Sequence, residues 1–220
     1  MIAVTLIGFI TIFADSAKAS VDQSIDQNFN GDFVIDSQTF GQGGLPVSMA
    51  EELNQLPEVQ AAAGVRISQA QIAFGAELIA GVDPATMFQV VDVGEVQGDL
   101  SALEREDAIA LSQDQAEEFG LGLGDDLDVR FPSSQDVKAF EVVALYERND
   151  AINVNLPLDY LFGLPAYEAN VEDQYDTSVI VELADGVSQE QLRRAVESVT
   201  DDYPLAKVQD QEELKASQAQ

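Results

Sequence analysis

Residues 179–208, VIVELADGVSQEQLRRAVESVTDDYPLAKV, contain the pattern of a strand, a turn, a capped helix and a second strand. The β-branched residues at the start predict a strand, and Asp185-Gly186 predicts the turn that ends it. Ser188 and Gln191 have the spacing of a capping box, in which each side chain accepts a hydrogen bond from the other residue's backbone N–H. Pro204 introduces the second strand, around 205–208. The helix between has one apolar face, formed by Leu192, Ala195, Val196 and Val199.

The same order of elements occurs near the start of the chain. Residues 33–35 predict a short strand, Ser48 and Glu51 predict a capping box, and residues 65–74 alternate as a strand does. Aligning Ser48 with Ser188 brings strand, helix and strand into register. We interpret the two segments as an internal repeat that forms one α/β layer, although two unrelated capped helices can share these residues by chance.

The central stretch, residues 91–169, is rich in strands instead. Strands are predicted at Ala108–Leu111, Leu127–Phe131 and Ala139–Tyr146, and Ser112 is predicted to cap a helix between the first two. The sequence therefore predicts an α+β fold: two strand–helix–strand units form a layer, and a β-rich subdomain is inserted between them.

The first fourteen residues, MIAVTLIGFITIFA, are uncharged and nearly all apolar or small. As a helix they span about 21 Å, which is less than the roughly 30 Å that crosses a bilayer. Three interpretations remain open: the end of a transmembrane helix, a signal peptide cleaved after Ala19, and a buried core helix. Apolar residues continue at steps of three and four to about Phe29, which favours an N-terminal membrane helix that continues as a stalk.

The charge balance is strongly acidic, with 40 Asp and Glu against 10 Lys and Arg and a formal net charge of −30. Such a surface repels phosphate backbones and anionic headgroups, which excludes nucleic-acid binding and attachment through a basic patch. The acids begin at Asp15, directly after the apolar segment. This is typical of the non-cytoplasmic side of a membrane protein, because basic residues are retained inside.

The chain contains neither Cys nor His. This composition excludes zinc sites of the usual N/S kind, haem ligation by these residues, disulfides, and catalytic triads that use His. Any chemistry would have to use carboxylates, Lys, Tyr or hydroxyl groups.

Two motifs invite a catalytic or cofactor-binding interpretation, and a structural one is favoured for each. Gly120, Gly122 and Gly124 follow a predicted helix and precede a strand, which is the reverse of a phosphate-binding loop. Asp36-Ser37 and Asp176-Thr177 lie at equivalent points of the repeat, but both lack the glycine of the aspartic-protease loops.

Clustered charges are likewise predicted to be surface features. Three aspartates in one turn lack the spacing of an EF-hand calcium loop: Asp125, Asp126 and Asp128. Two adjacent arginines have acidic neighbours at helical spacing and are predicted to pair with them: Arg193 and Arg194, with Glu190 and Glu197. We therefore predict no catalytic, cofactor-binding or metal-binding residue.

Residues 109–129 resemble the extracytoplasmic, or periplasmic, core domain of MacB/FtsX-type ABC transporter permeases. The shared pattern is a hydrophobic strand at Ile109–Ser112, a helix containing alanine, the run Gly120-Leu-Gly-Leu-Gly-Asp125, and a strand at Leu127–Val129. The segment Asp176–Leu183, followed by the capped helix, is a second likeness.

The resemblance implies a division of the chain into five parts. They are the remainder of a transmembrane helix with a stalk helix (1–28), the first half of a porter-like α/β subdomain (29–90), an inserted β-rich, sabre-like subdomain (91–169), the second half of the porter-like subdomain (170–210), and the start of a helix that leads back to the membrane (211–220).

The resemblance also implies a function. Domains of this family lie between the first and second membrane helices of a permease that forms a dimer and associates with a cytoplasmic ATPase on a separate chain. We therefore expect a non-catalytic domain on the extracytoplasmic side of the cell membrane, with its N-terminal helix in the lipid bilayer. It would couple ATPase-driven motion to substrate export or extraction. Two alternatives stay open: a secreted soluble binding domain with a cleaved signal peptide, and an extracellular carboxylate-dependent hydrolase.

Overall fold

The computed structural model describes residues 31–37, 43–73, 75–134, 136–147 and 159–218. The membrane and stalk helix predicted for residues 1–28 lies outside the described residues. Within the described ranges, no helix has the length and apolar character needed to span a bilayer.

The described residues form ten β-strands: β1 (Phe33–Asp36), β2 (Val59–Ile72), β3 (Gly75–Val82), β4 (Val96–Gly98), β5 (Ala108–Ser112), β6 (Asp126–Arg130), β7 (Val137–Tyr146), β8 (Tyr160–Gly163), β9 (Ser178–Leu183) and β10 (Lys207–Asp210). They also form six α-helices and a 3₁₀ helix: α1 (Ser48–Leu53), α2 (Pro84–Val90), the 3₁₀ helix (Leu100–Glu104), α3 (Gln113–Phe119), α4 (Leu164–Glu168), α5 (Gln189–Thr200) and α6 (Gln211–Gln218).

Strands β10, β1, β9 and β2 are adjacent in this order and form an antiparallel layer. Because β9 lies between β1 and β2, and β1 lies between β9 and β10, the units β1–α1–β2 and β9–α5–β10 interleave as in a ferredoxin-like split β–α–β fold. Helices α1 and α5 pack against one apolar core, which also includes Phe33, Ile35 and Val181. The predicted α+β fold and both strand–helix–strand units are confirmed. Their interleaving is a feature that the sequence did not reveal.

Two predicted helix starts are confirmed by their side-chain hydrogen bonds. In α5, Gln191 N donates to Ser188 Oγ (3.3 Å), and Ser188 N donates to Gln191 Oε1 (3.0 Å), which completes the capping box. In α3, Gln115 N donates to Ser112 Oγ (3.4 Å). Both helices therefore begin where the sequence places them.

The capping box predicted at Ser48 and Glu51 is wrong. Helix α1 already includes Ser48, and the residue before it, Val47, makes no side-chain capping bond. The cause is local: Met49 N donates to the carbonyl of Pro46 (2.9 Å). The first turn therefore begins before Ser48, and the serine lies inside the helix instead of at its N-cap position.

Strands β2 and β3 extend beyond the layer and take part in a closed ring of six strands. Around the ring the order is β2, β3, β8, β5, β7 and β6, and β6 returns to β2. The closing ladder contains two residue pairs, Gln71 with Arg130 and Ile72 with Val129. Two of the six strands come from residues 29–90, so the division of the chain at residue 90 stays a prediction.

The interior of this barrel is filled by apolar side chains. Phe131, Phe140 and Phe162 are buried there and meet edge to face, with ring centroids between 5.0 and 5.9 Å apart. Such pairs contribute about 0.5–1.5 kcal/mol each beyond the area they bury. The barrel is therefore a packed core and not a channel.

A separate apolar cluster connects the layer to the barrel. It takes residues from the strands of the layer, from α2 and the 3₁₀ helix, and from the strands of the barrel: Ala63 and Ile180, Met87 and Leu103, and Ala110 and Leu161, among others. Because α2 and the 3₁₀ helix cover this cluster, the layer and the barrel share one buried surface.

We expect Gly163→Ala to destabilise the fold strongly. A Cβ atom at Gly163 would lie 1.8 Å from the carbonyl oxygen of Leu103, and this oxygen belongs to the backbone of the 3₁₀ helix. A backbone atom cannot swing aside as a side chain can, so we expect a loss of at least about 3 kcal/mol in the free energy of unfolding, measured by urea denaturation.

Gly122→Ala is the matched control for this experiment. A Cβ atom at Gly122 would approach no described atom closer than Asp125 Oδ2, at 3.7 Å. We expect this variant to change the free energy of unfolding by less than about 1 kcal/mol. Equal effects of the two substitutions would contradict the packing of the 3₁₀ helix against β8.

Candidate functional site

The motifs that suggested chemistry lie in a turn and beside the ladder of two strands. Gly120 ends α3 with a φ of 66°, and Gly122 N donates to Asp125 Oδ2 (2.8 Å), so the glycine-rich run is the turn into β6. Asp36 lies opposite Ser178 in the β1–β9 ladder, so its ladder partner is not Asp176. Among the described residues, no group of three or more His, Cys, Asp or Glu is arranged to hold a metal ion.

The predicted pairing of the two adjacent arginines is confirmed. Arg194 Nη2 lies 3.6 Å from Glu190 Oε1, and Arg193 Nη1 lies 4.0 Å from Glu197 Oε1. Arg193 also makes shorter contacts that the spacing did not predict, with Asp210 at the end of β10 and Glu213 in α6.

The buried polar centre of the described structure surrounds Arg66, which lies in the middle of β2 and is 6% exposed. Its Nε donates to Asp176 Oδ1 (3.1 Å), and its Nη1 donates to Glu168 Oε1 (2.7 Å) and to Gln174 Oε1 (2.8 Å). We call Arg66, Glu168, Gln174 and Asp176 the Arg66 cluster. Residues 168–176 return the chain from α4, next to the barrel, to β9 in the layer, so the cluster binds this return segment to the strand that both parts share.

Backbone contacts fix Asp176 in place. Asp176 and Leu45 exchange two hydrogen bonds of 2.7 and 2.9 Å, and Thr177 N donates to Val65 O (2.8 Å). The carboxylate lies over Gly64, where a Cβ atom would stand 2.3 Å from Asp176 Oδ2. A glycine at this point of β2 is therefore required for the carboxylate to reach Arg66.

Two opposing effects act on the pKa of Asp176: its burial and its ion pair with Arg66. Asp176 is 2% exposed, and this burial raises the pKa of its carboxyl group to about 6, although the charge of Arg66 and its hydrogen bond act in the opposite direction. A cavity of about 120 Å³ adjoins the ion pair, with Asn54, Asp83 and Thr86 in its lining. Because a buried ion pair loses hydration on both partners, its net contribution to stability is smaller than its Coulomb attraction, and removing either partner would leave an uncompensated buried charge.

Sequence reasoning missed Arg66 as a residue of interest. It stands between Val65 and Ile67 in a strand of alternating pattern, and such a pattern predicts that the arginine faces solvent, so nothing in the sequence signals its burial. The partners lie more than 100 positions further along the chain, so no local pattern identifies them.

The described chain enters and leaves the layer at the same corner. Phe33 of β1 is paired with Asp210 of β10. Directly beyond this pair, Gln211 Nε2 at the start of α6 donates to the carbonyl of Gly31 (2.8 Å). Gly31, just before β1, and Gln211, just after β10, are therefore held side by side.

We expect Asp176→Asn to change the pH dependence of stability. An aspartate in the unfolded chain has a pKa near 3.9, whereas burial raises that of Asp176 in the fold to about 6. The folded state thus binds the proton more tightly, so the stabilisation from this proton is fully present below about pH 4 and is lost as the pH rises through about 6. Relative to Asp176→Asn, the native chain should lose about 2–3 kcal/mol of unfolding free energy between about pH 4 and pH 7.

Asp128→Asn is the control, because Asp128 is exposed on β6. Both variants remove one acid from the same highly charged chain, so the general effect of net charge on stability cancels between them. Urea denaturation at several pH values measures the three free energies. Parallel pH curves for the native chain and Asp176→Asn would contradict the burial of an ionisable group at this position.

Comparison with known proteins agrees with this architecture. The sequence matches the family of MacB-like periplasmic core domains over residues 1–199. No curated protein sequence matches the chain.

Solved structures show the same fold at low sequence identity. The periplasmic region of MacB from Actinobacillus actinomycetemcomitans superposes with a TM-score of 0.66 at 13% identity, over 88% of this chain and 94% of that one. A domain of a putative permease protein from Porphyromonas gingivalis gives a TM-score of 0.55 at 18% identity, over 86% and 96%. The extracellular domain of the noncanonic ABC-type transporter YknZ from Gram-positive bacteria gives 0.54 at 12%, over 82% and 100%.

The family match includes most of the chain, and these structures have the fold described above. The chain therefore belongs to the family of MacB-like periplasmic core domains.

Proposed function

We propose that this chain is the extracytoplasmic domain of an ABC transporter permease, and that it transmits motion from the membrane to a substrate outside it without catalysing a reaction itself. The observation that carries the proposal is the position of the two ends of the layer. Gly31 and Gln211 are joined by a hydrogen bond of 2.8 Å, which is the geometry required of a domain inserted between two neighbouring membrane helices.

The connection between layer and barrel supports a mechanical role. Strand β2 has fourteen residues and runs through both parts. The Arg66 cluster fastens the return segment to β2, and the shared apolar cluster fills the space beside it. A displacement of the layer at the corner near Gly31 is therefore passed to the barrel, because neither part can move alone without exposing buried groups.

The proposal includes partners. A cytoplasmic ATPase on a separate chain would supply the energy, a second copy of the permease would complete a dimer, and the N-terminal segment would lie in the lipid bilayer. The chain has only 10 Lys and Arg among its 220 residues, which supports the extracytoplasmic side, since basic residues are retained in the cytoplasmic segments of membrane proteins.

Cysteine labelling in intact cells tests the location. The chain contains no Cys, so Glu106→Cys, at an exposed turn of the barrel, introduces a single thiol. In the membrane protein that carries this domain, we expect a membrane-impermeant maleimide to label it without permeabilisation. Leu111→Cys, at a fully buried position, is the control and should react after denaturation. Labelling of Glu106→Cys that requires permeabilised cells would contradict the proposal.

Distance measurements test the rigid connection. Spin labels at Ser198→Cys in α5 and Glu117→Cys in α3 report the separation of layer and barrel by double electron–electron resonance. We expect one narrow distance distribution in the native background. Arg66→Gln should broaden it, because the carboxylates of Asp176 and Glu168 then lose their cation.

Arg105→Gln is the matched control for the distance measurement. Arg105 also contacts two acids, Asp107 at 2.9 Å and Glu141 at 2.7 Å, but all three residues lie on the barrel side. This variant should leave the distribution narrow. A broad distribution in the native background, or none of the expected broadening in a folded Arg66→Gln protein, would contradict a rigid connection.

A further inference from the structure

Arg193 of α5 contacts three other elements of the fold at the point where the chain leaves the layer. Its Nη2 lies 2.7 Å from Asp210 Oδ2, at the end of β10, and 2.8 Å from Glu213 Oε2, in the first turn of α6. Its guanidinium carbon lies 5.0 Å from the ring centroid of Phe33 in β1, which is within the range of a cation–π contact. One side chain therefore joins α5, β1, β10 and α6.

The two carboxylates that hold Arg193 are also the cap of α6. Glu213 N donates to Asp210 Oδ1 (2.8 Å), and Asp210 N donates to Glu213 Oε2 (3.0 Å), so the pair forms a reciprocal capping box. Hydrogen bonding to Arg193 is the main cause that holds the pKa of Glu213 below its ordinary value. The carboxylate is thus charged at neutral pH and available to both the backbone and the guanidinium.

The hydrogen bonds that start α6 are different from the contacts that hold it against the layer. The capping bonds run between Asp210 and Glu213 and do not need the arginine, so the helix can start without it. Contacts that relate α6 to the layer include the ion pairs of Arg193 and the hydrogen bond from Gln211 to Gly31. Arg193 supplies the connection to α5, since its own helix is fixed to the core by Leu192 and Val196.

We propose that Arg193 is a positioning residue that sets the direction of α6 relative to the layer. The role in coupling rests on the proposed function, in which α6 leads back to the membrane. A displacement of the returning helix then reaches the layer through the Arg193 guanidinium, and from there it reaches β1 and α5. Removing the guanidinium leaves the layer and α6 folded but lets the direction of α6 vary.

The neighbouring Arg194 provides a matched control. It lies on the same helix and carries the same charge, but its side chain is 67% exposed, and the ion pair that it forms is 3.6 Å long and stays within α5. Substituting either arginine by glutamine changes the net charge of the chain by the same amount. A difference between the two variants therefore reports the contacts of Arg193 and not its charge alone.

The experiment uses the 220-residue chain with spin labels at Ser198→Cys in α5 and Ala216→Cys in α6, both exposed. We expect a narrow distance distribution in the native background and in Arg194→Gln, and a broad one in Arg193→Gln. Arg193→Lys should broaden it in part, because an ammonium group can donate to both carboxylates but lacks the planar guanidinium that lies over the ring of Phe33. Far-UV circular dichroism should show unchanged helix content in all variants.

Salt provides a second measurement that needs no substitution. The Arg193 side chain is 30% exposed, so about 1 M NaCl, where the screening length is near 3 Å, should broaden the distribution of the native chain. If Arg193→Gln fails to fold, the salt dependence of the native chain still tests whether Arg193 sets the direction of α6. A narrow distribution in a folded Arg193→Gln, or no effect of salt on the native chain, would overturn the proposal.

The two proposals fail in different ways. An unchanged distribution in Arg193→Gln would remove the positioning role and leave the extracytoplasmic location untouched. Labelling of Glu106→Cys from the cytoplasmic side, together with a broadened distribution in Arg193→Gln, would keep the placement of α6 by Arg193 and remove its role in coupling.

Discussion

The architecture depends on the neutralisation of one buried charge. Arg66 is 6% exposed and stands between two apolar residues of its strand. A guanidinium that is buried in this way needs hydrogen-bond acceptors, because it has lost its hydration. Its acceptors come from residues 168–176, so this segment has to pass directly over β2 before it enters β9. Gly64 makes the approach possible, because a side chain there would occupy the place of the Asp176 carboxylate. The path of the chain from barrel to layer thus depends on the buried charge of Arg66 and on the absence of a side chain at Gly64.

This constraint explains why layer and barrel form a single body although they have different architectures. The layer is a four-stranded antiparallel sheet in which two β–α–β units interleave, and the barrel is a ring of six strands. Strand β2 belongs to both, and its length lets one end take part in each. The Arg66 cluster lies where the two parts meet, so any hinge between them would have to expose a guanidinium and a carboxylate to a different environment.

The sequence predicted the local elements well and the long-range pairing poorly. Capping at Ser188 and Ser112 depends on residues three positions apart, and those helices begin as predicted. The start of α1 is the exception, because a hydrogen bond to the carbonyl of Pro46 places the first turn before Ser48, so that the serine is not the N-cap. Closure of the barrel rests on the pairing of Gln71 with Arg130, and the Arg66 cluster joins residues about 100 positions apart. No periodicity of the sequence contains such pairings, since they are decided by packing in three dimensions. The strand–helix–strand repeat was visible, whereas the interleaving that makes it one layer was not.

The excess of acids gives each buried or half-buried cation an unusual importance. The chain has four carboxylates for every basic residue, and in the described part three arginines each contact two or more acids: Arg66, Arg105 and Arg193. Removing one of these cations does more than break a pair, because the carboxylates that remain are brought together by the fold and repel each other. Two of the three arginines lie where separate parts of the chain meet: Arg66 lies between barrel and layer, and Arg193 lies between the layer and α6. In the described part of this acid-rich chain, two of the scarce cations therefore lie at the junctions that determine how its parts are arranged.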